Sequence, residues 1–101
     1  MRFIVELKEK TKAAREKIRS SAEVQEFIEQ CKRSVREAAE KGFDYADVSF
    51  QYIDEEEEET LLLADICIQV LEEDYGFKIQ RGVPHRINPF GYRLIIRLFW
   101  S

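Results

Sequence analysis

Between Leu61 and Leu71 the chain reads LLLADICIQVL, and coiled into a helix its Leu62, Leu63, Ile66, Cys67, Val70 and Leu71 cover more than half of the circumference. A helix with so wide an apolar surface must be buried on most sides. In 101 residues there is room for one core and not two, so residues 1–101 are read as one domain with this segment at its centre. The apolar share of 45%, with seven Phe, four Tyr and one Trp, supplies enough surface to offset the entropy of ordering such a chain.

The remaining elements must wall that helix in. From Glu6 to Lys41 there is no Gly or Pro, and Ile18, Ala22, Ile28, Cys31, Val35 and Ala39 form an apolar stripe widened by Val24 and Phe27. The SSAE stretch reads as a break, with Ser20 as N-cap and Glu23 three residues on. Residues 6–41 are therefore either one bent helix or a short helix followed by a main one from Ala22 to Lys41, closed by Gly42. A sheet-and-helix unit over 43–101 follows. FDYADVSFQYI (43–53) alternates as a strand with one wet face, FKIQR (77–81) reads as a second strand and YRLIIRLFW (92–100) as a third. GVPHRINPFG (82–91) holds both prolines and reads as a loop. The expected fold is α+β in the order α-β-α-β-β. Its three-stranded mixed sheet has the C-terminal strand central, 43–53 and 77–81 beside it, and helices on one face, leaving the Arg93 and Arg97 face open.

Charge is segregated along the chain. Residues 1–41 carry +3, residues 42–75 carry −12 without a single base, and residues 76–101 carry +5 without a single acid. No run of about eighteen apolar residues occurs, and the five-residue apolar patch of the N-terminus is flanked by charge, which argues against secretion and against a membrane span. Cys31 and Cys67 stand among aliphatic residues outside any CxxC or Cys/His cluster, as buried free thiols of a reducing cytoplasm do.

AAEKGFDYADVSF, then a Leu-rich helix closing on LEEDYGFKI, then a terminal YRLIIRLFW, resembles a layout found among small, mostly uncharacterised proteins of bacteriophages and prophages. In those a Lys-Gly precedes a strand, a Gly-aromatic-Lys opens the next, and the final strand ends in Trp. The likeness spans residues 38–101. It implies an accessory protein of a mobile element, at work in the host cytoplasm on a host or viral partner, and it carries over no functional residue.

Two groups of residues invite a functional reading. Asp54, Glu55, Glu56, Glu57, Glu58 and Glu59 directly precede the buried helix, where acids favour the positive dipole end and Asp54 suits an N-cap. They read as a solvated helix start, as an acidic surface docking on a basic protein or imitating nucleic-acid phosphates, or, least well, as metal ligands, since consecutive helical residues point all around the axis. Arg81, Arg86, Arg93 and Arg97, with Lys78, His85, Phe90 and Tyr92, interleave cations with aromatics, which suits single-stranded nucleic acid or an amphipathic strand paired with the acidic block. His85 is isolated between Pro84 and Arg86, and neither a Gly-rich phosphate loop nor a hydrolase elbow is present. The expectation is a non-enzymatic protein without metal or cofactor that binds another protein through charged surfaces. The alternatives are a nucleic-acid module using the C-terminal basic strand, and an acidic DNA mimic that inhibits a host nucleic-acid enzyme. Two sheet edges, a long amphipathic helix and complementary charged thirds also suit a homodimer.

Overall fold

The computed structural model describes residues 2–89 and 91–101. It contains three helices, α1 (Arg2–Arg19), α2 (Ala22–Glu40) and α3 (Glu57–Glu73), and four strands, β1 (Tyr45–Ile53), β2 (Lys78–Arg81), β3 (His85–Asn88) and β4 (Gly91–Phe99). The fold is α+β.

The N-terminal helical stretch is two helices of nearly equal length, 18 and 19 residues, and the first begins four residues before the expected Glu6. The break lies where the serines stand, but Ser21 and not Ser20 is the N-cap: its hydroxyl accepts from the Val24 amide. Ser20 turns back and donates to the carbonyls of Glu16 and Lys17. α2 ends in a Schellman closure, with the Phe43 amide on the Ala38 carbonyl and the Gly42 amide on Ala39, and Gly42 holds the required positive φ of 94°.

β4 lies between β1 and a second edge that β2 and β3 share in succession. Its pairs with β1, β2 and β3 are all antiparallel. The sheet is therefore four-stranded and antiparallel, not three-stranded and mixed, and its order differs from the expected one by β3. The reason lies in the length of β4. β1 pairs with it over nine residues, from Tyr45↔Phe99 to Ile53↔Gly91, whereas β2 covers only Arg81↔Ile96 to Lys78↔Phe99. The rest of that edge would carry unpaired backbone groups. The Gly82 amide still reaches the Ile95 carbonyl at 2.8 Å, the chain steps out through Pro84, and His85 and Arg86 resume pairing opposite Arg93 and Tyr92. The expected 82–91 loop thus contains a strand, and its two prolines flank that strand where no ladder donor is needed.

One face of the sheet, formed by Ala46, Phe50, Tyr52, Leu94, Ile96 and Leu98, is buried beneath α2 and α3. Val24, Ile28 and Cys31 come down from α2, and Ala64, Ile66, Cys67, Val70 and Leu71 from α3, all at most 5% exposed. Phe27 stacks on Phe50 with ring centroids 4.2 Å apart. Trp100 meets Phe77 edge to face at 6.5 Å and closes the sheet end. α1 buries no residue, and its half-buried Ile18 packs against the rim of this core.

Gly82 runs so close to β4 that an added Cβ would stand 2.8 Å from the Ile95 carbonyl oxygen, a backbone atom that cannot swing away. Gly82→Ala is expected to destabilise the protein by about 1–3 kcal/mol, measured as a lower urea midpoint with an unchanged slope. A midpoint equal to wild type would show that the β2–β3 edge shifts freely.

Candidate functional site

The acid run does not form one surface. Asp54–Glu56 make a single 3-10 turn that feeds α3, so residues three apart lie above one another. Asp54 and Glu57 face the sheet edge: the pKa of the Tyr52 phenol, raised first by burial, is raised further by both carboxylates, and Arg86, raised first by its hydrogen bond to Tyr92, also feels Asp54. Glu56 and Glu59 line a groove of about 400 Å³ on the opposite side, together with Glu23, Ile18, Leu62 and Leu63. Glu55 and Glu58 remain exposed between these two directions, with no hydrogen bond or ion pair among the described residues. Asp54 does not cap. The Glu56 carboxylate instead accepts from the Ile53 amide at 3.2 Å, and the turn itself takes the place of a side-chain cap for α3.

The basic residues are divided in the same manner. Alternation along β2, β3 and β4 puts Arg81 and Arg86 on the helix side and Arg93 and Arg97 on the open side, with Lys78 and His85 beside the latter pair. Arg81 pairs with Asp65 of α3. Arg86 donates to the Tyr92 hydroxyl at 2.9 Å and to the Pro89 carbonyl, and its guanidinium lies over the Tyr92 ring. Arg97 holds Asp47 by two hydrogen bonds, 2.7 and 3.0 Å, and covers the Tyr45 ring. Arg93 is half-buried, and its Nε has no hydrogen-bond partner among the described residues. Phe90 lies outside the described residues.

The open sheet face adds Tyr45 and Phe99, with centroids 6.2 Å apart, and Phe43 edge-on to Tyr45. Sequence reading gave these aromatics no role, although the register of 43–53 already put Tyr45 with Asp47. α1, amphipathic in sequence from Glu6 on, begins earlier, and its first two turns expose Phe3, Ile4, Val5 and Leu7. Ile4 and Leu7 join Ile66, Lys8, Lys12 and Arg15 along a second groove, of about 570 Å³, between α1 and α3. The signal in the sequence is a stripe at helical spacing, Ile4, Leu7, Ala14 and Ile18, with Thr11 at the step between Leu7 and Ala14.

The thiols of Cys31 and Cys67 are both pushed up to about 12 by burial, which keeps them protonated and poor nucleophiles. The described residues contain no group of three or more His, Cys, Asp or Glu placed to hold a metal ion. None of the described helices is long and apolar enough to cross a membrane. Comparison of the chain with known protein families, curated proteins and solved structures finds no match.

The Arg97 guanidinium holds the Asp47 carboxyl below its ordinary value. A depressed folded-state pKa stabilises above the unfolded value, about 3.9, and that stabilisation disappears as pH falls through the folded value. Wild type should therefore exceed Asp47→Asn in urea midpoint at pH 6, with the gap narrowing as pH falls below about 4. A gap independent of pH would mean that the pair contributes through packing alone.

Proposed function

We propose that this chain is a small non-enzymatic accessory protein, of the phage and prophage kind that its sequence resembles, and that it binds another protein in the host cytoplasm through charged surface at the start of α3. The reading rests on Glu55 and Glu58. Glu55 lies in the 3-10 turn and Glu58 in the first turn of α3, both are exposed, and neither has a hydrogen bond or ion pair among the described residues. Their backbone is already held by the 3-10 turn and α3, so a basic partner orders only the side chains, and their field speeds the encounter.

A second reading concerns the open sheet face, where Tyr45, Phe99, Lys78 and Arg93 put flat rings beside cations, as single-stranded nucleic acid requires. Support for it is weaker. Arg97 is already neutralised by Asp47, and Arg81 and Arg86 lie on the other side of the sheet. An acidic DNA mimic would need the six carboxylates in one array, and they point in three directions.

The test is affinity capture from host lysate at about 0.1 M salt, with wild type and Glu55→Lys/Glu58→Lys as baits. A discrete protein retained by wild type and lost on charge reversal is the expected result. Retention indifferent to the reversal, or no retained protein, would overturn the reading. Material released by nuclease would transfer the function to the sheet face.

A further inference from the structure

We infer that the groove lined by Ile18, Leu62 and Leu63, with Glu23, Glu56 and Glu59 on its walls, receives the first three turns of α1 from a second copy of this chain, reciprocally. The inference rests on the reading of this end of the molecule as a protein-docking surface and names one occupant for one part of it.

The arm and the groove fit chemically. α1 carries seven Lys/Arg against three Glu and buries no residue, while Phe3, Ile4, Val5 and Leu7 are 67, 52, 53 and 44% exposed. Large apolar side chains clustered at that exposure mark an interaction surface rather than ordinary solvent contact. Around them stand Arg2, Lys8, Lys10 and Lys12, of which only Lys10 has an ion pair among the described residues, with Glu6. The groove is the complement: half-buried aliphatic side chains below, exposed carboxylates from α2, the 3-10 turn and α3 above, none of them in an ion pair among the described residues. An amphipathic helix laid in an apolar groove, with opposite charge along the rims, is a common mode of recognition.

The occupant cannot be the chain's own arm. Ile18, near the C-terminal end of α1, lines the groove, and Leu7 lies eleven residues upstream on the same uninterrupted helix, about 16 Å away along its axis. A second copy has no such constraint. Exchange of the two arms about a two-fold axis uses the same pair of surfaces twice and closes the assembly.

Sedimentation velocity of the purified chain, with folding checked by circular dichroism, tests this. The expected result is a dimer at low salt that weakens from about 0.05 to 0.5 M NaCl. Ile4→Asp/Leu7→Asp should weaken it at least about tenfold. Lys8→Glu/Lys12→Glu and Glu56→Lys/Glu59→Lys should each dissociate alone, because each puts like charge on arm and groove. Mixed in equal amounts they should re-form a dimer, because both exchanged contacts then carry opposite charges. A wild-type chain that stays monomeric at low salt, a dimer that ignores both reversals, or a mixture that stays monomeric would overturn the inference. A monomer would leave the docking of a foreign protein on Glu55 and Glu58 standing, since a different pair of side chains carries it.

Discussion

Burial of Leu94, Ile96 and Leu98 under α2 and α3 is the contact from which the other features follow. These residues are fully buried, and each removes about 1.5–3 kcal/mol worth of apolar surface from water. A strand buried in this way must satisfy its backbone on both edges, since water cannot do so. β1 meets that demand along one edge with a full-length partner. The other edge is met piecewise, by β2, by a single bond from Gly82, and then by β3. The two prolines and the step between β2 and β3 are thus what remains when a chain too irregular for one long strand still has to pair with one.

The same anchoring explains the phase of α3. Ala64, Cys67 and Leu71 fix which side of the helix faces the sheet, so the orientation of every carboxylate upstream is fixed as well. Six consecutive acids then become three pairs aimed at the sheet edge, at solvent and at the α1 groove. Such dispersal limits their mutual repulsion while keeping all of them near the positive end of the helix.

Much of this was legible in the sequence. Alternation of Ala46, Val48, Phe50 and Tyr52 and the apolar run of 92–100 carry a two-residue period, and both are strands. The circumference of Leu61–Leu71 marked a buried helix, and Cys31 and Cys67 are buried free thiols. What escaped notice depends on partners distant in sequence. HRIN has no strand pattern of its own and is extended because β4 offers unpaired groups. Ser21 outcompetes Ser20 as a cap by one residue of helical phase, which a capping-box spacing does not resolve. Phe3–Leu7 resembled a short patch at a chain end, because the reach of α1 is visible only once its C-terminal turns are seen resting on α3. The division of the arginines required the register of β2 and β3 against β4, which one-strand alternation cannot supply.

Segregation of charge along the chain becomes pairing in space. Arg81 and Arg97 from the basic third meet Asp65 and Asp47 from the acidic third, and Arg19 bridges Glu73 and Asp74 at the far end of α3. Exposed pairs of this kind contribute little stability. Their larger effect is on what they leave over. Once these pairs are formed, the carboxylates of 54–59 have no ion pair among the described residues, and the same holds for Lys8, Lys12 and Arg15. Uncompensated charge of both signs thereby stands on α1 and on the helix it rests against. Each sign there borders exposed or half-buried aliphatic surface, so Coulomb attraction and apolar burial favour the same contacts. A sequence whose opposite charges are far apart along the chain thus folds into a molecule that brings unpaired charges of both signs to the two sides of the α1–α3 crossing.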